Sequence, residues 1–196
     1  CRNQAAPKPA WRIMTRIISG RLRGKIIKAP GNLPVRPTTD FAKEALFNIL
    51  NNNFYFDEIS FLDLFSGTGN ISFEIASRGC TDIVCVDENA GAVKFIQKIA
   101  DELKFEGLTA QRSTVEQYLA RAYKNFDLIF ADPPYEYEGY EALVEQVFLK
   151  RLLSDGGLLV IEHQKLTDLS PLEGFVEMRK YGNVGFSFFE QTTEEN

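Results

Sequence analysis

Strand-like and helix-like segments alternate from Ile59 almost to the end of the chain, and this alternation constrains the fold more than any other feature. Short apolar runs rich in β-branched and aromatic residues predict buried strands, whereas apolar residues three and four positions apart predict helices. The predicted strands are 59–65, 83–86, 109–112, Phe126–Ala131 and 157–162, and the predicted helices are 71–78, 90–104, 114–123 and 140–152. This order is typical of a doubly wound α/β fold with a mostly parallel sheet.

Two further strands are predicted to close the sheet as an antiparallel pair. They are Phe175–Tyr181 and Val184–Glu190, and the two residues between them, Gly182 and Asn183, favour a tight hairpin turn. The chain therefore has signals for a parallel α/β core that ends in a β-hairpin.

The first 39 residues contain nine lysine and arginine residues and no acidic residue, whereas all 27 acidic residues lie in the rest of the chain. A basic segment attached to an acidic body predicts a local contact with a polyanion. Nucleic acid matches this charge distribution better than a membrane surface does.

The amino-terminal region has its own predicted organisation. Residues 15–29 alternate apolar and basic side chains around Gly20 and Gly24, which predicts a small β-hairpin with a basic face. After a Pro-rich loop, Asp40 is predicted to cap a helix with apolar residues at helical spacing. We expect an extension over 1–14 that is disordered or lies upstream of the natural start, a basic region over 15–52, an α/β domain over 53–191 and a solvated tail over 192–196.

A glycine-rich loop joins the first predicted strand of the α/β region to its helix. In the run from Asp63 to Asn70, DLFSGTGN, Gly67 and Gly69 permit a sharp turn and a close approach of the backbone to a ligand. A dinucleotide fingerprint would have a third glycine where this chain has Ser72, and no Gly-Lys-Ser/Thr follows as in a P-loop. The loop therefore indicates a different ligand.

Two acidic residues beside this loop indicate the kind of ligand that the loop binds. Asp63 would repel a pyrophosphate but suits a cationic amine, whereas Asp87, at the end of the next strand, is placed to hold ribose hydroxyls. A ligand with both a ribose and a positively charged amino-acid end fits this pair better than a dinucleotide does. S-adenosylmethionine fits that description.

The tetrapeptide Asp132-Pro133-Pro134-Tyr135 follows a predicted strand, where open α/β sheets place their ligand crevices. The prolines fix φ and present carbonyl groups without competing N–H groups. Together with the Asp132 carboxylate they form a set of acceptors, and Tyr135 adds a flat face. Such a set suits an exocyclic amino group on a planar base. A Pro-rich turn would explain the tetrapeptide alone, but the glycine loop and its acids favour a catalytic role.

These motifs resemble the class I S-adenosylmethionine-dependent amino-methyltransferases and, among them, the RsmD-type bacterial small-subunit rRNA guanine-N2 methyltransferases. The resemblance covers residues 15–191. The glycine loop is common to the superfamily, and DPPY is typical of amino-group methylation. The rRNA family is indicated by RIISG at 16–20, RG at 23–24, RPTTD at 36–40 and EALFN at 44–48.

The resemblance implies a Rossmann-like fold with a seven-stranded, mostly parallel sheet, helices on both faces and a small amino-terminal β-hairpin. It implies methyl transfer from S-adenosylmethionine to the exocyclic N2 of a guanine in 16S rRNA, free or in an assembling small subunit, by a monomer without metal. The implied catalytic residues are Asp132, Pro133, Pro134 and Tyr135, and the cofactor-binding residues are Asp63, Phe65, Ser66, Gly67, Thr68, Gly69, Asp87, Glu88 and Thr114. The implied RNA-binding residues are Arg16, Arg21, Arg23, Lys25, Arg36, Thr38 and Lys43.

Three alternatives stay open at this stage. An N6-adenine DNA or RNA methyltransferase and a protein-glutamine methyltransferase also use (D/N)PPY, although DNA enzymes usually add a recognition domain and glutamine methylation is more often associated with Asn first. A non-catalytic RNA-binding ribosome-assembly protein would retain the fold without the reaction. A nucleotide-dependent oxidoreductase is disfavoured by Asp63 and Ser72.

The remaining reactive residues indicate no other chemistry. Cys1, Cys80 and Cys85 lack the spacing of a metal site or a disulfide framework, and His163 is predicted to have a surface or packing role. The sequence shows no signal peptide and no apolar run long enough to span a bilayer. A cytoplasmic protein without membrane association is therefore expected.

Overall fold

The computed structural model describes residues 13–31, 33 and 38–191. Its strands are β1 (Ile13–Arg16), β2 (Ile26–Ala29), β3 (Phe61–Leu64), β4 (Ile83–Asp87), β5 (Leu108–Arg112), β6 (Phe126–Ala131), β7 (Leu153–Gln164), β8 (Phe175–Tyr181) and β9 (Val184–Glu190). Its helices are α1 (Asp40–Leu50), α2 (Asn70–Ser77), α3 (Ala90–Leu103), α4 (Val115–Arg121) and α5 (Tyr140–Leu149). Every predicted core element is present, and most of their ends lie within a few residues of the predicted positions.

Seven strands form one sheet in the order β5-β4-β3-β6-β7-β9-β8. Strands β3 to β7 pair in parallel, whereas β9 runs antiparallel to both β7 and β8. The chain moves outward from β3 to β5 on one side and from β6 onward on the other, so the order reverses between β3 and β6. The predicted doubly wound sheet with a closing hairpin is confirmed.

Helices cover both faces of this sheet because successive residues of a strand point to opposite sides. In β3, Phe61 packs into a core that contains apolar residues of α1, α2 and α3, whereas Leu62 and Leu64 pack with residues of α4 and α5. Each of the three side chains is completely buried. The two separate cores explain why the central strands read as continuous apolar runs.

The amino-terminal hairpin (residues 13–29) pairs β1 with β2 antiparallel and packs on the α1–α3 side of the sheet. Its turn lies directly on the end of α2. The Arg21 N–H donates to the Ser77 carbonyl over 2.7 Å, and a Cβ added to Gly20 would lie 1.9 Å from that same oxygen. With φ at +79°, Gly20 is also in the left-handed region that favours glycine. The predicted hairpin is therefore present and is docked on the α/β core.

Two predicted helix ends need correction. Thr39, and not Asp40, caps α1: Thr39 is extended, and its hydroxyl accepts the Ala42 N–H over 3.2 Å. Helix α5 ends at Leu149, before the predicted 152, because Arg151 adopts φ of +50° and turns the chain into β7. Leu152 continues the apolar spacing and is buried, but it lies in this turn. The apolar spacing of the sequence therefore extended the predicted helix beyond its actual end.

The predicted terminal segments lie largely outside the described residues. Of the extension expected over 1–14, only Ile13 and Met14 are described, and both belong to β1; the tail expected over 192–196 is not described. Among the described residues, no helix is both long enough and apolar enough to cross a membrane.

Candidate active site

The carboxyl ends of β3 and β6 lie side by side where the strand order reverses, which is where open α/β sheets bind ligands. A cleft of about 1160 Å³ opens at this point. It is lined by all four predicted catalytic residues and by eight of the nine predicted cofactor-binding residues: Asp132, Pro133, Pro134, Tyr135, Asp63, Phe65, Ser66, Gly67, Thr68, Asp87, Glu88 and Thr114. The fold thus brings the two predicted sites together in one cleft.

The glycine loop between β3 and α2 holds three residues in the left-handed region, with φ of +62° at Phe65, +53° at Gly67 and +73° at Gly69. A positive φ at a residue as bulky as Phe65 is uncommon and is typical of functional loops. Gly69 is not among the residues that line the cleft: it is the N-cap of α2, where a Cβ would come within 3.1 Å of Phe73 and Ile96. Both the positive φ and the close packing of these two side chains favour glycine here, and the loop motif alone did not show the second reason.

Asp63 lies on the floor of the cleft with 2% of its surface exposed. Burial raises the pKa of its carboxyl to about 7, and the nearby Asp87 carboxylate also raises it, whereas the hydrogen bond donated by the Ser72 hydroxyl opposes the shift. Ser72 in turn contacts the Cys85 thiol. The residue that replaces the third glycine of a dinucleotide fingerprint therefore orients the acid that suits a cationic ligand.

Asp87 is fixed at the end of β4 by two backbone N–H groups. Gly67 donates to one carboxylate oxygen and Asn89 to the other, each over 2.8 Å. A carboxylate oxygen has more than one acceptor site, so these bonds orient the group and leave capacity for ligand hydroxyls. After the neighbouring strand β5, the Thr114 hydroxyl caps α4 by accepting the Gln117 N–H over 3.2 Å.

The tetrapeptide begins directly after β6. The Asp132 N–H donates to the Leu64 carbonyl over 3.3 Å, and the Tyr137 N–H donates to the Pro134 carbonyl over 2.9 Å, which closes a turn. Pro133 is buried in the wall of the cleft, and Tyr135 is 44% exposed at its mouth. This arrangement places an acid, a proline backbone and an aromatic face around the same space.

Glu162, which the sequence analysis did not select, also lines this part of the cleft. It follows the register pair Ala131–Ile161 of β6 and β7, so it lies beside Asp132 on the neighbouring strand. Its carboxylate is buried and accepts a 2.7 Å hydrogen bond from the Thr38 hydroxyl. Its position at the carboxyl end of a predicted strand was the signal that would have found it.

Three carboxyl groups therefore share one face of three adjacent strands: Asp63 of β3, Asp132 after β6 and Glu162 of β7. Burial, reinforced by the charges of Glu162 and Asp63, raises the pKa of Asp132 well above its usual range. Like charges that are removed from water disfavour ionisation. The cleft is thus built to receive positive charge and hydrogen-bond donors.

His163 also borders the cleft, but both nitrogens of its ring are engaged. Because a carbonyl can only accept, the 2.8 Å contact with Gln164 O places the proton on Nδ1, and Nε2 accepts from the Ser187 hydroxyl over 2.7 Å. Burial lowers the pKa of the imidazole. These contacts fit the packing role predicted for His163.

The predicted RNA-binding residues fall into different environments. Arg16, Arg21, Arg23 and Lys25 are exposed on the amino-terminal hairpin, and Arg36 lies outside the described residues. Arg16 pairs with Asp40 over 3.1 Å and Arg21 donates to the carbonyls that end α3. Thr38 is buried in the cleft wall, where it holds Glu162.

Lys43 needs correction, because its ammonium group lies in the protein interior with 1% of the side chain exposed. It donates to the Arg16 carbonyl over 2.6 Å and to Asn70 Oδ1 over 2.9 Å, and it lies 3.4 Å from a carboxylate oxygen of Glu74. This placement argues against a phosphate contact. Lys43 instead connects the hairpin, α1 and α2.

A protein-family model described as conserved hypothetical protein 95 matches residues 15–190. Escherichia coli (strain K12) ribosomal RNA small subunit methyltransferase D is 29% identical over 147 residues, which cover 75% of this chain and 70% of that protein. YlbH of Bacillus subtilis (strain 168) is 34% identical over 186 residues, or 90% of this chain and 98% of YlbH. The chain belongs to this RsmD-type methyltransferase family.

Solved structures share this fold. A hypothetical protein of Thermus thermophilus superposes with a TM-score of 0.78 at 31% identity, covering 90% of this chain and 99% of the other. The 16S rRNA N2 G1207 methyltransferase of the same species, solved with AdoMet and guanosine, has a TM-score of 0.71 at 22% identity over 95% of this chain and 52% of its own. The second likeness is one of fold.

Proposed function

We propose that this RsmD-type protein transfers a methyl group from S-adenosylmethionine to the exocyclic N2 of a guanine in 16S rRNA. The observation that carries the proposal is the meeting of the Asp132–Tyr135 acceptor set and the Asp63–Asp87 loop in one cleft. The curated relatives named ribosomal RNA small subunit methyltransferase D support rRNA as the substrate.

The residues present fit the cofactor by their chemistry. The buried Asp63 carboxylate would bind the ammonium group, Asp87 would accept from the ribose hydroxyls, and Gly67 lets the backbone approach closely. A cation also offsets the repulsion among the three neighbouring acids of the cleft, Asp63, Asp132 and Glu162. When bound, S-adenosylmethionine supplies an electrophilic methyl carbon.

The remaining chemistry falls to the tetrapeptide. The lone pair of guanine N2 is delocalised into the ring, so the nitrogen is a poor nucleophile until its geometry becomes more tetrahedral. Asp132 and the Pro133 carbonyl would accept its two N–H bonds and stabilise the positive charge that develops there. Tyr135 would stack on the base, a contact worth roughly 1–3 kcal/mol. The proton then leaves to Asp132 or to water.

The target base must leave its stack to enter the cleft, so a loop nucleotide or a flipped base is the expected substrate. Holding donor and acceptor in line supplies much of the remaining rate acceleration.

The function is tested by incubating the protein with S-adenosylmethionine labelled in its methyl group and with naked small-subunit rRNA, assembled small subunits, duplex DNA or protein. We expect label in N2-methylguanosine after digestion of an rRNA substrate. Label in N6-methyladenosine or in methylglutamine would instead establish one of the related activities. Cofactor binding without transfer to any of these substrates would favour a non-catalytic assembly protein.

Cofactor affinity is expected to depend on pH through Asp63. Because the pKa of this carboxyl is about 7 in the free protein, Asp63 is largely protonated at pH 6, and binding an ammonium group requires that proton to leave. Cofactor affinity is therefore constant above about pH 7.5 and falls by up to about tenfold per pH unit below 7. Titration calorimetry with S-adenosylhomocysteine, in buffers of different ionisation enthalpy, measures both the affinity and the released proton.

The Asp63→Asn protein is the control, because it should bind more weakly and without this pH dependence. Asp132→Asn should retain the pH dependence, which distinguishes the effect of Asp63 from that of Asp132. An unchanged pH profile in Asp63→Asn would rule out Asp63 as the group that binds the amine.

The basic hairpin is expected to bind phosphates through charge. Replacing Arg23 and Lys25 together by alanine should weaken RNA binding of every sequence and reduce the slope of log K against log salt by about 1.4–1.8, since each lost phosphate contact removes about 0.7–0.9. Both side chains are exposed. Filter binding at several salt concentrations measures the slope.

The matched control replaces Arg121 and Lys150, two exposed basic residues associated with α4 and α5 on the opposite side of the sheet. It removes the same charge and should leave the slope unchanged. Equal losses in the two double variants would show that net charge, and not the hairpin, governs RNA binding.

A further inference from the structure

We infer that Glu162 is a specificity-determining residue that accepts the N1–H of the target guanine, beside Asp132, which accepts from N2. The inference rests on the proposed function and extends it from the reacting amino group to the rest of the base edge. It assigns a task to a buried acid that the transfer step itself leaves unused.

The sheet register places the two acids as a pair. Ala131 of β6 is opposite Ile161 of β7, and both side chains point into the α4–α5 core. The next residues, Asp132 and Glu162, therefore turn to the other face of the sheet, where both line the cleft. Neighbouring parallel strands are about 4.8 Å apart, a spacing that two adjacent donors on one base edge can bridge.

Thr38 fixes the Glu162 carboxylate in place. Its hydroxyl donates to Oε2 over 2.7 Å, and only 5% of the Glu162 surface is exposed. A carboxylate can accept roughly four hydrogen bonds, so one carboxylate can accept from protein donors and from a base edge together. An oriented acceptor on the cleft wall is what recognition of a base edge requires.

Guanine offers two kinds of donor on its Watson–Crick edge, N1–H and the N2 amino group, whereas adenine and 2,6-diaminopurine have an unprotonated N1. A carboxylate opposite N1 therefore hydrogen-bonds guanine and meets a lone pair on the other two bases. A buried polar group left facing an incompatible partner gives strong discrimination. The carboxylates of Asp132 and Glu162 then select the base, and Asp132 together with the Pro133 carbonyl prepares its N2.

The test uses 2,6-diaminopurine, which keeps the N2 amino group and lacks N1–H. The modified guanine is first mapped by mass spectrometry, and 2,6-diaminopurine is then placed at that position in small-subunit rRNA by splinted ligation. Formation of the N2-methylated base is measured as kcat/KM for both RNAs. We expect the wild-type protein to prefer guanine by about 10- to 100-fold, the discrimination of one good contact to a base edge.

Glu162→Gln should bring the two rates within a few-fold of each other, because a carboxamide can turn either its oxygen or its NH₂ group toward N1. Glu136→Gln is the matched control: Glu136 is an exposed carboxylate that lines the same cleft, and its replacement should leave the preference unchanged.

A Glu162→Gln protein that retains the full preference for guanine would overturn the inference, as would equal wild-type rates on the two RNAs. The second comparison needs no variant, so it can overturn the inference even if Glu162→Gln does not fold. Failure of the proposed function is distinguishable, because the mapping step would then give no N2-methylguanosine.

Discussion

An Asp132→Asn protein is expected to bind cofactor and RNA like the parent protein and to transfer methyl groups more slowly by on the order of 10²- to 10³-fold. The amide keeps the shape of the side chain but presents an NH₂ group and loses the charge that would stabilise a positive nitrogen. Single-turnover kinetics with prebound cofactor and RNA isolates this step from binding.

The same substitution is expected to raise thermal stability. The pKa of Asp132 is raised in the folded protein by burial and by its acidic neighbours, so the folded state binds the proton more tightly than the unfolded chain does. Stability therefore falls as pH rises above the carboxyl's unfolded pKa, and an uncharged Asn escapes this loss. The gain in Tm at pH 7–8 should disappear at acidic pH, where both residues are neutral.

Loss of activity together with increased stability is a signature that a purely structural residue would not give. An Asp132→Asn protein with a normal single-turnover rate would contradict the catalytic role. A lower Tm at pH 8 would contradict the electrostatic account of the cleft.

Glu74→Gln is expected to cost about 3–5 kcal/mol of unfolding free energy, the range for breaking a buried ion pair. Glu74 is completely buried and lies 3.4 Å from the ammonium group of Lys43, while Arg78 donates to it over 3.0 Å. It also accepts the backbone N–H groups of Ile18 and Ser19 over 2.7 and 3.0 Å. The substitution leaves the buried Lys43 without its carboxylate, so urea unfolding should show a large loss.

Glu102→Gln is the matched control, since Glu102 pairs with Lys98 over 3.6 Å on the exposed face of α3. An exposed pair of this kind contributes roughly 0.3–0.5 kcal/mol. The double replacement Lys43→Met with Glu74→Gln should recover part of the loss, because the buried ammonium group of Lys43 is then removed together with its carboxylate. Similar losses for Glu74→Gln and Glu102→Gln would show that the interior pair has no special role.

The parts of the fold set by local signals were predictable. The bounds of β8 and β9 were predicted as they occur because Gly182 and Asn183 fix their turn, and β6 was delimited by the prolines that follow it. The end of α5 was not predictable, since it depends on the left-handed conformation of Arg151. Local apolar spacing has no information about such a turn.

The candidate site was predictable where its residues lie at the carboxyl ends of parallel strands, because open α/β sheets bind ligands there. Asp63, Asp87 and Asp132 all lie at or near the carboxyl ends of strands, and the structure brings them to one cleft. Lys43 was misjudged because its environment depends on Glu74, a partner on another helix. A basic residue in a basic segment reads as solvent-facing until tertiary contacts are known.

The close packing of Gly20 against the carbonyl of Ser77 has a consequence for which nucleotide of the substrate is selected. Because the hairpin turn rests on the far end of the helix that starts at the cofactor loop, the hairpin and the cleft are held at a constant separation. If the hairpin binds RNA as proposed, the distance between the bound RNA backbone and the cleft is fixed by the protein. A guanine would then be chosen by its distance from the gripped backbone as well as by its edge, and moving it by one nucleotide should abolish methylation.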